Sequence, residues 1–239
     1  MAAETARRRA PDARPQQILD AALAEFGEQG LSGARLDDIA RRAGIAKGTI
    51  YLYFPNKEEL FREVVRHTIV ARLTDMEQEF GHGGAGSATD QLRAYLRTWW
   101  AALKSPAFRT VYRLVVGELH RFPELLAFYL EEVKIRSHAL HVGVLERGVA
   151  TGEFAVDDPA ATARIISAMF ITHSLWVCSP LPPMALVGDL RDDVVFAQLE
   201  AFALRALRPG AGPDARPHVA PAGATAGGPT PDASRVPTA

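Results

Sequence analysis

The stretch from Arg35 to Phe61 constrains this chain more than any other. Leu36, Ile39, Ala40 and Ala43 recur at offsets of three and four, the spacing of one helix face. Gly44 follows at once, and glycine can take the left-handed conformation that lets a chain leave a helix within one residue. A second short run carries the apolar residues Ile45 and Ile50. It must stop before Pro55, because the residue ahead of a proline avoids helical geometry. Asn56 then caps a longer helix, with Glu58, Glu59 and Glu63 early in it, where carboxylates suit the helix dipole. Helix, glycine turn, short helix is the sequence form of a helix-turn-helix. The second helix leaves Lys47, Thr49, Tyr51 and Tyr53 outward, and Gly48 lets the backbone come close to a partner. A cation and hydrogen-bond donors on such a face suit phosphates and base edges.

These residues resemble the DNA-binding region of the TetR family of transcriptional regulators. The likeness is carried by Asp38-Ile39-Ala40, Ala43-Gly44-Ile45, Lys47-Gly48-Thr49-Ile50-Tyr51, Tyr53-Phe54 and Asn56-Lys57-Glu58-Glu59-Leu60. The run from Ile18-Leu19-Asp20-Ala21-Ala22 to Gly30 is similar to that family's first helix. The likeness is specific over residues 14–65. Further on, Arg113-Leu114-Val115 and Arg121-Phe122-Pro123-Glu124-Leu125 resemble one subgroup of its ligand domains. The resemblance implies an all-α chain: a three-helix, helix-turn-helix DNA-binding domain, then a helical ligand-binding and dimerisation domain. It implies DNA contacts at Thr49, Tyr51 and Tyr53, with Lys47 and Lys57 on phosphate and Gly48 at close approach. The family usually carries Thr or Ser where Arg35 stands. Arginine cannot accept the hydrogen bond a cap requires, so Arg35 is assigned to phosphate instead, with Ser32 as a nearby hydroxyl.

Helical periodicity continues to residue 208. Pro15 suits a first helical turn; Ile18, Ala22 and Phe26 form its stripe, and Gly27 and Gly30 end it. The fourth helix carries Leu60, Val64, His67 and Ala71 toward Phe80. Further helices are expected over 89–104, 108–119, 123–151, 159–179 and 190–207, the last burying Val194, Val195, Leu199, Phe202 and Leu204. The domains then read as a disordered basic arm (1–13), a DNA-binding unit (14–60), a ligand and dimer unit (61–208) and a disordered tail rich in Pro, Gly and Ala (209–239). The glycine-rich break at 81–86 is a second place to divide the chain.

Composition narrows function. The net charge is -1, yet residues 1–57 hold nine Lys or Arg against seven Asp or Glu, and Arg7-Arg8-Arg9 lead the chain. A lone Cys178 excludes an internal disulfide and fits a reducing compartment. No signal-peptide pattern opens the chain, and residues 165–178 read as too short and polar to span a bilayer. The expectation is a cytoplasmic protein without a membrane partner.

Apparent catalytic motifs fail. Lys47-Gly48-Thr49 inverts a phosphate-loop order, and His173-Ser174 lacks a nucleophile elbow. His138 and His141, with Glu118, His120 and Glu131 not far off, could be drawn into a zinc site. They lack a Cys pair or an H-E-x-x-H motif, and read as core or pocket-lining groups. No catalytic residue, metal or cofactor is assigned. The second unit carries aromatic residues with polar groups at helical spacing, the pattern of a small-molecule pocket. Tyr95, Trp99, His120, Phe122, Phe128, His173 and Trp176 are the candidate ligand residues. Ala168 and Phe202, on the last two helices, are the candidate dimer contacts. The resulting expectation is a homodimeric repressor of a palindromic duplex operator, released by a small hydrophobic or amphipathic molecule. A dimeric regulator without a ligand, and a helical enzyme using the His and Glu groups, are the alternatives.

Overall fold

The computed structural model describes residues 14–177 and 191–210. The basic arm, Cys178, the proline run after it and the tail from residue 211 lie outside that range. All regular elements among the described residues are helical: α1 (Arg14–Gly33), α2 (Leu36–Arg42), α3 (Lys47–Tyr53), α4 (Lys57–Val65), α5 (Ala71–Phe80), α6 (Ala88–Leu103), α7 (Pro106–Gly117), α8 (Pro123–Tyr129), α9 (Arg136–Ala150), α10 (Pro159–Val177) and α11 (Asp192–Ala206).

Local signals set the first four helices. At the end of α2, Gly44 takes φ 67°, Gly44 N–H donates to Arg41 O at 3.1 Å, and Ile45 N–H to Ala40 O at 3.0 Å. That pair of bonds is a Schellman turn, which satisfies carbonyls a helix end leaves open. The Asn56 side chain accepts from Glu59 N–H at 2.7 Å and starts α4. Arg35 precedes α2 in extended backbone without any side-chain cap.

Two expectations change. Gly27 does not end α1; the chain kinks at Gly30 (φ 71°, ψ 171°) and makes one more turn to Gly33. A side chain at Gly30 would also strike the Glu118 carboxylate, 2.2 Å from an ideal Cβ. The fourth helix, likewise, does not keep His67 and Ala71 buried. A π-turn at Arg66–Val70 inserts an extra residue. The buried stripe therefore steps from Leu60 and Val64 to Ile69, Leu73, Met76 and Phe80, and leaves His67 and Ala71 exposed. A second π-turn, Leu130–Ile135, joins α8 to α9, and the two π-turns pack against each other.

Burial divides the chain differently from either proposed boundary. One core unites α1 to α4 with Ile69, Val111, Leu114 and Leu119, and with Leu125, Phe128, Tyr129 and Val133 of α8 and its π-turn. The other begins at Leu73 and gathers α5, α6, α9, α10 and α11. Helices α7 and α8, distant in sequence, thus belong to the core of the DNA-binding unit. The Arg113 guanidinium donates to Gly27 O. The Glu118 carboxylate accepts from Leu31 N–H at 3.3 Å and Ser32 N–H at 2.9 Å. Phe128 packs under Arg62 and Arg66, whose guanidinium carbons lie 5.5 and 5.0 Å from its ring centre. In the second core, Glu153 accepts from Ala88 and Thr89 N–H at 2.7 and 3.0 Å, covering the open end of α6.

Candidate DNA-reading surface and ligand cavity

Helix α3 buries Ile50 and turns the rest of its length outward. Tyr51 is 47% exposed, Leu52 84% and Tyr53 42%, so none of the three is core. Gly48 is exposed with open space around it, and Thr49 is half-buried. Leu52 is not among the contacts expected from the sequence. Here it is an apolar tip of the kind that meets a thymine methyl.

The reader's charges are already engaged. Lys47 Nζ lies 2.7 Å from Asp37, and the Tyr51 hydroxyl donates to the same carboxylate at 3.3 Å. The hydrogen bond from Lys47 holds the Asp37 pKa below its usual range, and the same contact raises that of Lys47. Asp37 on α2 thereby holds Lys47 and Tyr51 of α3, a role the sequence reading did not assign. Lys57 is placed differently from its expected phosphate contact. Its ammonium donates to Ser32 O at 2.9 Å and Ala34 O at 3.4 Å, closing the C-terminal end of α1 from the first turn of α4. Arg35 is exposed.

Beneath this surface lies a cavity of about 870 Å³, within the range of drug-sized ligand pockets. Its walls come from α1 (Asp20, Leu23), the first π-turn and α5 (Ile69, Leu73), α6 and α7 (Trp99, Phe108, Val115), the second π-turn (Val133) and α9 and α10 (His141, Ser167). Exposed Asp20, His67, Arg72 and Lys134 border it where it meets solvent. Trp99 is the one proposed ligand residue on this wall. Tyr95 is buried behind it, ring centres 6.2 Å apart.

The other proposed ligand residues do not converge on the cavity. His120 is exposed in a 3-10 turn, Leu119–Arg121. Phe122 and Phe128 pack in the DNA-binding core. His173 is half-buried, with Nδ1 2.8 Å from Met169 O on its own helix. Trp176 is 43% exposed. Helical spacing puts Tyr95 with Trp99 and His173 with Trp176 on shared faces, but it does not fix which way those faces turn. The buried histidine among the cavity-lining residues is His141, its ring 4.3 Å from Trp99 and nearly perpendicular to it.

Trp176 instead shares an outward strip of α10 with Ile165, 64% exposed, and Ala168. On neighbouring α11, Phe202 is 52% exposed, so it is not among the residues that helix buries. By length and composition alone α10, at 19 residues and mean hydropathy 1.2, would suffice to cross a membrane, a test that the core helix of a soluble protein also passes. Its inner face packs through Ala163, Ile166, Ser167, Phe170 and Ser174.

Comparison with known proteins matches this geometry. Residues 18–64 fit the profile of the bacterial regulatory proteins of the tetR family. Residues 90–205 fit that of the AefR-like transcriptional repressor C-terminal domain. The HTH-type transcriptional repressor KstR2 of Rhodococcus jostii is 30% identical over 168 residues, 69% of this chain and 77% of the relative. The fatty acid degradation regulator FadR of Bacillus halodurans shares the fold at a TM-score of 0.65 and 22% identity, over 83% of this chain and 97% of that one. FadR of Bacillus subtilis, solved with stearoyl-CoA, does so at 0.59 and 21%, over 81% and 99%. With its reader helix outward, both of its regions matched by profiles of the family and a 30% identical relative matched over 69% of its length, the chain belongs to the TetR family of DNA-binding transcriptional regulators.

Proposed function

We propose that the protein is a homodimeric repressor that leaves a palindromic operator when a small hydrophobic or amphipathic molecule enters the cavity. One observation carries this reading: the cavity is walled by α1, by the π-turn that continues α4, and by α7, the helices that hold the reader. A ligand that pushes α7 outward acts through Glu118 and Arg113 on the kinked end of α1, next to α2. A ligand that reshapes the first π-turn acts along α4, whose start is tied to α1 by Lys57. Either movement alters the distance between the two reader helices of a dimer. Major-groove half-sites lie roughly 34–36 Å apart, so a changed distance costs affinity. A coupling of about 1–3 kcal/mol is enough to shift occupancy severalfold or more.

In this reading Lys47 and Arg35 neutralise phosphate, Thr49 and Tyr53 donate to the duplex, and Leu52 and Tyr51 meet base edges. The exposed strips of α10 and α11, with Ala168 and Phe202, form the dimer contact, as a two-helix contribution to an intersubunit bundle. That partner is a better account of the apolar face of α10 than a bilayer is, since its opposite face is already packed in a helical core. A regulator of this kind works beside the chromosome, hence the cytoplasmic placement. The repressor named among the relatives favours repression over activation. Footprinting on the DNA upstream of the protein's own gene should show two protected half-sites related by a dyad. A single unsymmetrical footprint, or sedimentation as a monomer, would contradict the dimeric reading.

A further inference from the structure

His141 is a buried polar residue of the cavity wall. Its ring stands perpendicular to Trp99 and to Tyr95, whose centre is 5.4 Å away, so packing fixes its orientation. Nδ1 faces Ser137 O one turn back on the helix. A carbonyl oxygen only accepts, so Nδ1 carries the ring proton and Nε2 presents a bare lone pair. Nε2 has no hydrogen-bond partner and almost no accessible surface, so a donor in the cavity reaches it only when the neighbouring side chains shift. Buried polar atoms are nearly always partnered, and an exception in a cavity wall asks for an explanation. Burial pulls the His141 pKa down to about 4, and the nearby Lys134 and His138 add to that direction against the bond to Ser137. The ring is therefore neutral at physiological pH. Ser167, a second buried polar residue, lines the cavity from α10.

Resting on the ligand-responsive reading above, we infer that the ligand carries an uncharged hydrogen-bond donor, of the alcohol type, on an otherwise apolar body, and that His141 Nε2 accepts from it. The walls of Leu, Ile, Val, Phe and Trp suit that body. A carboxylate brings only acceptor oxygens to a lone pair and is mismatched at this end, whereas the exposed Arg72 and Lys134 suit an anionic group at the solvent border. His141 thus sets which end of an amphipathic molecule goes in first. A site built to accept one hydrogen bond discriminates against an analogue lacking the donor, because the buried acceptor is then left unpaired.

The test uses the full chain and two probes that differ in one donor: 1-decanol and its methyl ether. Quenching of tryptophan fluorescence reads binding, since Trp99 forms part of the wall. The alcohol should bind roughly tenfold more tightly than the ether, and the two should bind alike in His141→Phe, which keeps an aromatic ring and removes the acceptor. Equal binding of both probes by the wild-type chain overturns the inference without needing any variant. Preference for the alcohol that persists in His141→Phe overturns it too, assigning the acceptor to another group such as Ser167. Binding of neither probe, by protein that still protects its DNA, would overturn the inference together with the proposed response to apolar ligands.

Discussion

The α2–α3 reader and the cavity half of this molecule differ in where their polar groups find partners. Within the reader the partner is a neighbour in sequence: Gly44 turns the chain out of α2, and Asn56 accepts from Glu59 N–H three residues on. The cavity half has such local caps too, Ser87 on α6 and Ser105 on α7, and adds partners from far away. Glu153 covers the start of α6 from 65 residues on. Trp100 Nε1–H donates to Asp192 at 2.7 Å across 92 residues, and Arg147 donates to Phe80 O across 67. The two regions meet where Glu118 and Arg113 of the α7 end hold α1, so the support of the reader runs along the wall of the cavity.

The sharpest contrast should be in stability. Phe26 is fully buried and meets Phe61 edge-on, ring centres 5.8 Å apart. Phe26→Ala should cost about 3–5 kcal/mol in denaturant unfolding. Leu130, on the cavity wall and 43% exposed, should cost less than about 1 kcal/mol as Leu130→Ala. Equal costs would erase the distinction between a filled core and an open one.

The second contrast is in pH. His141 is buried neutral with its pKa lowered from 6.5 to about 4. The unfolded chain takes up a proton near pH 6.5 and the folded chain does not until about pH 4, so stability falls as pH drops through that window. The loss is about 3 kcal/mol at the acid end. Melting curves from pH 7 to pH 4.5 should show it, and His141→Phe should flatten it. A wild-type curve as flat as the variant's would place His141 in a wetter site than the structure gives.

The smallest effect belongs to the reader surface. Lys47→Ala should weaken binding to every duplex sequence and lower the slope of log affinity against log salt by about one unit. Asp37→Asn should act in the opposite direction, because it frees Lys47 and Tyr51 and removes a negative charge facing phosphate. If Asp37→Asn weakens binding instead, orientation of these side chains by Asp37 outweighs its competition with DNA.

The same contrast explains what was legible in the sequence. Reader helices, their glycine turn and the outward residues of α3 follow from signals a few residues apart, so their pattern is visible in one dimension. Asp37 was missed because nothing local says that an acid on α2 meets Lys47 ten residues on. In the second half, helix positions were legible but their faces were not. Each π-turn inserts one residue and rotates everything beyond it, which moved His67 and Ala71 out of the buried stripe. Phe128, read as a ligand contact, is taken up by Arg62 and Arg66. His141 was visible as part of a weak zinc pattern. Its burial against Trp99 and Tyr95 depends on how α6 and α9 cross, and no periodicity encodes that.

The central claim is that occupying the cavity moves the reader. Ala107 lines the cavity from α7, so Ala107→Trp can fill part of it without a ligand. Fluorescence anisotropy on the footprinted operator should then show affinity reduced by roughly tenfold or more, with helical content unchanged by circular dichroism. Wild-type operator affinity in a variant whose cavity no longer responds to 1-decanol in thermal melting would contradict the claim.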